Sequence, residues 1–476
     1  MNTPQDPNLH WPRPATPRQR RAAGKAAREA LPLVNLSTAF NPARERDVLG
    51  IVGAQDASRI PWLVPIRYGR MLRSAFVFYR GTAGLMAHDL AGCPNSGLRV
   101  QLCGDAHLLN FGVYGTPERK LVFDLNDFDE TLPGPFEWDV KRLVASLVLA
   151  ARSLGLKPKR QQTIARAAAA RYREVIRTLA ERDALSNWYE AVDVDHLLTT
   201  IEVKSARAFA TDIAERARTR DHMQAAARLV EVSGGRLRIT PDPPLIVPLD
   251  ELPDPALSTD PERFVRHAYL EYLETVGDAV RVLLERYTFV DAALKVVGVG
   301  SVGTRCAILL FQGGHATDLL ILQAKQASAS VLETSLGPSV YAHHGRRVVE
   351  GQRLMQSASD LFLGWASGPA GADYYWRQLR DWKGSVDVAK MDETILELYG
   401  RLCAVTLANA HARSGDPIAI GAYLGSSTRF EDALTAFGCA YADQTERDFA
   451  TLVDAARDGR IEARDDAKHT SRAASV

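Results

Sequence analysis

The sequence predicts an α+β molecule of two lobes, a small antiparallel β-sheet lobe and a larger helical lobe, and three stretches of its 476 residues carry that expectation. From Trp138 through Ser153, and again from Gln161 to Arg182, apolar residues recur at every third or fourth position with Ala and Arg between them, the period of a helix. After Phe289 the texture changes: LKVVGVGSVGTRCAILLFQGGHATDLLILQAKQA gives three β-rich runs divided by glycine turns, with a Gly-Gly pair suited to a hairpin. Between these regions the Pro-rich segment PDPPLIVPLDELPDP interrupts the helical pattern and marks a candidate lobe boundary.

Taken in order, residues 1–30 are rich in Pro, Arg and Ala, with Arg18, Arg20, Arg21 and Lys25 close together and no hydrophobic period, and read as a flexible basic arm. Residues 31–290 read as a catalytic and metal-binding helical lobe with an extension at its front. There LRVQLCGDAHLLNFGVYGTPERKLVFDLNDFDE alternates short strands with loops, and helix is expected again from Val194 to Val230 and from Asp260 to Tyr287. Residues 291–390 form the glycine-loop β lobe, with a helix from Arg346 to Ala358 and strand candidates LFLGWA and YYWRQL. Residues 391–459, opening on a long helix from Asp392 to Ala412, rejoin the helical lobe, and residues 460–476 read as a flexible tail. No internal repeat is present.

The 58 basic and 57 acidic residues leave a formal charge of +1, so no global field points to nucleic acid or an anionic membrane. No stretch approaches the ~20 apolar residues of a membrane span. The five cysteines contain no CxxC pair, which fits neither a disulfide framework nor a zinc site. A soluble, cytoplasmic protein with a small or local partner is expected.

Gly104, Asp105, His107 and Asn110 sit in CGDAHLLN directly after the apolar run RVQL. An Asp and an Asn five positions apart suit phosphoryl transfer, where a carboxylate orients the acceptor hydroxyl and an amide oxygen helps hold magnesium. Downstream, KLVFDLNDFDE ends in the acids Asp124, Asp127, Asp129 and Glu130, which repel one another unless a cation or solvent relieves them. Gly298, Gly300, Ser301 and Gly303 form GVGSVG. A dinucleotide-binding turn must open a helix, but TRCAILLFQGG reads as a strand, so the pattern is the strand, glycine loop, strand arrangement that covers ATP phosphates in kinases. Lys325 then emerges from the apolar strand LLILQAKQA, with Glu333 or Glu350 as its candidate partner; Glu350, on the helical segment RRVVEGQRLMQ, is preferred. Arg67, Arg70 and Arg80 are spaced for contact with an anion, either a phosphate or acidic neighbours.

GDAHLLN followed by LVFDLNDFDETLPGPFEWDVKRL resembles the aminoglycoside phosphotransferase branch of the protein-kinase-like superfamily, except that Cys103 stands where that family usually has His. The resemblance implies that Asp105 is the catalytic base with His107 beside it, that Asn110 and either Asp124 or Asp127 bind metal, and that Asp139 anchors the catalytic loop. It also implies that the segment from Arg377 to Gly384 is the hinge that reads adenine. The order is circularly permuted, because the glycine loop and lysine follow the catalytic segment, and the helix ending HARSGD would precede the catalytic loop in space. His411 and Arg413 lie near that junction. Along nearly its whole length the chain also resembles the bacterial domain of unknown function 2252 family, through LVPIRYGRMLRSAFVFYRG, GDAHLLNFG, FDLNDFDETLPGPFEWDVKRL, VVGVGSVGTR, EGQRLMQSASDLFLGW and HARSGD. The expected activity is ATP- and Mg2+-dependent phosphoryl transfer to a hydroxyl of a small-molecule acceptor. A catalytically silent nucleotide-binding regulator and a metal-dependent hydrolase built on the Asp cluster and His107 are the alternatives, with an NAD-linked oxidoreductase last.

Overall fold

The computed structural model describes residues 14–38, 46–220, 222–252, 261–368, 371–379, 382–384 and 386–466. The largest core is helical. Helices Glu137–Ser153, Pro158–Leu179, Glu393–Ser414 and Arg429–Arg457 pack on one another and share a core that includes Leu143, Leu147, Ile164, Tyr172, Leu407 and Phe437. The helix Glu137–Ser153 is buried nearly all round, Lys141 and Arg142 included, as befits a central helix rather than a surface one. Four short strands adjoin this core: β1 (Arg99–Leu102), β2 (Phe111–Gly115), β3 (Leu121–Leu125) and β4 (Leu132–Pro135), with β1 antiparallel to β4 and β2 antiparallel to β3.

After a separate hairpin, β5 (Val230–Ser233) with β6 (Arg236–Ile239), comes a six-stranded antiparallel sheet. It is built from β7 (Ile246–Pro248), β8 (Thr288–Lys295), β9 (Cys306–Gln312), β10 (Leu319–Ala327), β11 (Gly364–Ser367) and β12 (Asp373–Gln378), in the order β11-β12-β10-β9-β8-β7. Both faces are covered. In β9, Leu309 and Phe311 join a core with Val265, Tyr272 and Trp376, while Ile308 and Leu310 join one with Ala226 and Leu229. A strand buried on both faces reads as an unbroken apolar run, which is why CAILLF and LLIL show no alternation. In β10 the residues Leu320, Leu322 and Ala324 face the first core and Ile321 the second. By the two-residue period of a strand, Gln323 and Lys325 continue the face of Ile321, and both are buried. The register sets Gln323 opposite Arg377 and Lys325 opposite Tyr375, so four polar side chains share one end of an otherwise apolar face.

The expected mixed α+β class with small antiparallel sheets is what the chain forms. Several expected boundaries move. The sheet begins before residue 291: β7 arises inside the Pro-rich break, and helices Pro261–Leu273 and Asp278–Leu284 pack on the sheet with Val265, Tyr272 and Leu284. Ile60, Leu63 and Ile66 join that same core, so part of the front extension belongs with the sheet. The helix expected from Val194 to Val230 is three helices, Val194–Thr200, Lys204–Thr219 and His222–Leu229.

The basic arm is not all flexible. Pro17–Ala30 is a helix with a capping box between Thr16 and Gln19, and Arg20 and Arg21 pair with Asp416 and Glu181. It packs on helix Pro417–Leu424 so closely that a Cβ at Gly24 would overlap the Ala419 carbonyl. The close approach rests on small residues rather than a large apolar stripe, so it leaves no hydrophobic period to read. Residues 1–13 lie outside the described residues. The tail expected from 460 onward is fixed through 466: Asp466 is buried and pairs with Arg70 at 2.6 Å and Arg73 at 2.8 Å, and Arg464 donates its N–H to the Pro65 carbonyl. Residues 467–476 lie outside the described residues.

Candidate functional site

The loop after β1 is held from the helix Glu137–Ser153. Asp139, in that helix's first turn, accepts the N–H groups of Cys103 at 2.8 Å and Gly104 at 3.1 Å, as expected of a loop-anchoring carboxylate. Behind it stand His411, whose Nε2 lies 3.4 Å from Asp139, and Tyr172, whose hydroxyl lies 2.8 Å from His411 Nδ1. Gly104 has φ +83, and a Cβ there would overlap the Glu130 carbonyl, so the turn requires glycine. Arg142, one helical turn beyond Asp139, donates Nε to Asp105 Oδ1 at 2.8 Å, and its Nη2, which donates to the Tyr79 carbonyl, pairs with the same oxygen at 2.8 Å. Oδ2 of Asp105 has His107 Nε2 3.9 Å away and accepts no hydrogen bond among the described residues. Burial pushes Asp105 up from its ordinary value against the pull of Arg142. Burial, helped by the fields of Arg80 and Arg142, drives His107 well down, so its ring is neutral; Nδ1 accepts the Leu109 N–H at 3.1 Å.

Asn110 ties this loop to the acidic segment. Its Nδ2 donates to the carbonyls of Asp105 at 3.0 Å and Asp127 at 2.9 Å, and its Oδ1 accepts the Asp127 N–H at 2.8 Å. Asp124 and Asp127, both candidates from sequence, are separated by the fold. Asp124, in β3 itself, is buried and accepts the Ser357 N–H and Oγ–H at 2.9 Å each. Asp127 and Asp129 instead open on a cavity of about 450 Å³ whose wall also includes Asp105, His107 and Asn110.

Lys325 reaches these acids from β10. Its Nζ lies 3.5 Å from Asp127 Oδ2 and bonds Asp129 Oδ2 directly, and Asp129 also accepts Tyr375 Oη at 2.9 Å and Ser301 Oγ at 3.3 Å. Burial opposes charge on Lys325, but the two carboxylates overcome it and raise its pKa well above the usual lysine value. Burial also opposes charge on Asp127, yet Lys325, Arg377 and Lys383 hold it below the usual carboxylate range. Burial and the neighbouring Asp127 push Asp129 up. Gly298, Gly300 and Ser301 line the same cavity. Gly298 and Gly303 have φ +66 and +90, and the loop is pinned by Arg70 on the Gly298 carbonyl, Arg59 on the Val302 carbonyl and the Ile60 N–H on Gly303.

Neither candidate glutamate meets Lys325. Glu350 pairs with Arg353 at 3.7 Å, while Glu333 accepts the Ser330 N–H at 3.0 Å and lies 3.8 Å from Arg347 and from His344. The helix His344–Met355 sends Arg347 toward the acidic segment instead, where it donates to the carbonyls of Asp129, Thr131 and Ser328. The segment expected to read adenine is described only in part. Arg377 bonds Gln323 Oε1 at 2.9 Å and the Asn126 carbonyl at 3.3 Å, and Gly384 exchanges two backbone bonds with Val113 of β2; Arg380 and Asp381 lie outside the described residues. Arg413 joins separate elements through the carbonyls of Trp188, Met355 and Glu190. Sequence reasoning missed the roles of Arg142, Asp129, Tyr375 and Arg347. Arg142 carried a signal, since it lies three residues after Asp139 on the same helix face.

Glu130 carries a testable pH dependence. Its Oε2 accepts the Val331 N–H at 2.7 Å and Ser330 Oγ at 3.1 Å, and burial lifts its pKa from 4.5 to about 7. Between those values the native state holds a proton that the unfolded state has released, so this group makes stability fall as pH rises through that window and level off above it. Glu130→Gln keeps an accepting oxygen but cannot ionise. Thermal unfolding from pH 5 to 8 is expected to show the variant gaining on the wild type as pH rises; a constant difference would remove Glu130 as a titrating group.

A family model described as an uncharacterized protein conserved in bacteria (DUF2252) matches residues 59–455. The chain belongs to the DUF2252 family. No curated protein and no solved structure matches it. The DUF2252 span takes in most of the cavity's polar wall, from Arg59 and Arg80 through Asp105, Asp127 and Asp129 to the glycine loop and Arg377, together with Lys325, and it leaves out the lining residues Gln55 and Ser58 as well as helix Pro17–Ala30 and Asp466. Among the described residues of this DUF2252 chain, no three His, Cys, Asp or Glu side chains form a metal cage. Magnesium rarely needs one: it is usually held by one or two carboxylates together with substrate phosphates, and Asp127 and Asp129 beside the glycine loop are a donor set of that kind.

Proposed function

We infer that the protein is an ATP- and Mg2+-dependent phosphotransferase of kinase-like arrangement and permuted order, acting on a hydroxyl of a small molecule. One observation carries this reading: Lys325, 198 positions beyond Asp127, meets the Asp127 and Asp129 carboxylates at a single cavity shared with Asp105 and the glycine loop. The permuted order is supported where the helix Glu393–Ser414 ends against β1, with Ser414 Oγ accepting the Gln101 N–H at 3.2 Å. Reading through that junction restores glycine loop, lysine, helix, two strands, long helix, catalytic loop and metal-side aspartate, the succession used by kinases.

The residues divide the work as follows. The glycine-loop N–H groups and Lys325 hold the ATP phosphates, Lys325 exchanging part of its contact with Asp129 for them. Asp127, with Asn110 and Asp129 beside it, holds the magnesium ion, which neutralises phosphate charge when bound. Asp105 Oδ2 orients the acceptor hydroxyl and takes its proton, while Arg142 fixes Oδ1. The neutral His107 ring, beside Oδ2, adds no charge of its own.

Incubation of the purified protein with γ-labelled ATP, Mg2+ and a cell-extract metabolite pool is expected to move label into a small molecule and release ADP. Nucleotide binding without any transfer would leave a silent nucleotide-binding regulator, a reading favoured by the cation already seated on Asp105. Metal binding indifferent to ATP would leave a hydrolase.

A further inference from the structure

We propose that Arg80 is a catalytic arginine supplied in cis, the cation that receives the transferring phosphoryl group between the glycine loop and Asp105; this rests on the phosphotransferase reading. The cations around the cavity are otherwise committed. Arg59 bonds the Val302 carbonyl, Arg142 holds Asp105 and the Tyr79 carbonyl, Lys325 holds Asp129, Arg377 holds Gln323 and the Asn126 carbonyl, and Lys383 acts on Asp127. The other arginines of the same stretch find partners as well, Arg67 on Asp56 and Arg70 on Asp466. Arg80 lines the cavity, yet its guanidinium makes no hydrogen bond among the described residues, and its Nε is buried without a partner.

A guanidinium cannot shed its proton to escape such a place, and leaving a buried charged donor unmade costs free energy in the empty protein. An anion entering the cavity reverses that cost. The position suits the transferred group. Arg80 ends the helix Ala75–Arg80, and a Cβ at Gly300 would come within 3.4 Å of the Arg80 carbonyl, so the glycine loop lies against this residue. On its other side Arg80 acts electrostatically on both Asp105 and His107, the groups flanking the acceptor. In the step itself the acceptor oxygen forms a bond to the γ-phosphorus and its proton passes to Asp105. The bond from that phosphorus to the β,γ-bridging oxygen breaks, and its electron pair leaves with ADP. The charge spread over the three equatorial oxygens faces Arg80, an effect that in other phosphoryl-transfer enzymes is worth about 10³- to 10⁵-fold in rate.

The test measures MgADP binding with and without orthovanadate, a mimic of the transferring group, in the wild type, Arg80→Ala and Arg80→Lys. Orthovanadate is expected to tighten MgADP binding to the wild type at least tenfold. R80A should bind MgADP as the wild type does but lose the gain, R80K should keep part of it, and added guanidinium should restore it to R80A. ATP turnover by R80A should fall by about 10³-fold. MgADP binding with an orthovanadate gain unchanged in both variants overturns the proposal alone, as does a rise only in acceptor KM, which would make Arg80 a reader of an acceptor anion. A wild-type protein that binds no MgADP overturns the proposal together with the reading beneath it.

Discussion

Replacing Asp105 with Asn is expected to lower phosphoryl transfer by about 10³-fold, the ordinary worth of a positioned general base, while MgATP binding stays within about twofold of wild type. The geometry makes this substitution clean. Arg142 contacts only Oδ1, and the Asn oxygen can keep the Nε hydrogen bond made there, so the loop has no reason to move. What is lost is Oδ2, the oxygen without a hydrogen bond among the described residues, replaced by a donor NH2 that cannot take a proton. Asp105 is also a better base than an exposed aspartate, because burial raises its pKa despite Arg142. A single-turnover assay with γ-labelled ATP, read beside equilibrium binding, separates chemistry from affinity. Wild-type transfer by D105N would remove Asp105 from the mechanism.

Lys325→Met is expected to have the largest effect on stability, roughly 2 to 4 kcal/mol, toward the lower side of what breaking a buried pair costs because Asp127 and Asp129 keep side-chain exposures of 43% and 27%. The methionine fills the aliphatic space of the lysine stem, so the loss reports the uncompensated acids rather than a cavity. Adding Asp129→Asn should recover part of it, and a coupling energy near zero in that cycle would show that the ion pair contributes nothing. Magnesium should raise the unfolding temperature of K325M more than that of the wild type, since the metal would then meet two carboxylates with no resident cation.

Much of the fold was legible because its signals are local. The helices around Val144 and Leu407 carry a clear apolar recurrence, and the strands at Leu309 and Leu322 are unmistakable apolar runs bounded by glycines. The site was legible where local spacing decides it: Asp105, His107, Asn110 and Asp127 line one cavity with Gly298, Gly300 and Ser301, and Lys325 reaches that wall through Asp129. Glu350 was misplaced because an analogy overrode helix phase. Val348, Val349, Gly351, Gln352 and Met355 turn inward, so Arg346, Glu350 and Arg353 share the outer stripe, and Arg347 goes to the acids. Asp124 stayed ambiguous because every residue of β3 is buried, which leaves no alternation to say which face it takes. The contacts of Asp466 with Arg70 and of helix Pro17–Ala30 with Pro417–Leu424 join opposite ends of the chain and have no local signature.

The distance in sequence between Asp127 and Lys325 has a consequence for birth on the ribosome. At about 5–20 residues per second, the acids leave the exit tunnel roughly 10 to 40 seconds ahead of the cation that balances them. Through that interval the nascent front segment carries Asp127 and Asp129 without Lys325 to offset their repulsion. The loop bearing them is therefore expected to close late, only when β10 arrives, so that this cleft is the last part of the molecule to mature rather than a template around which the rest assembles.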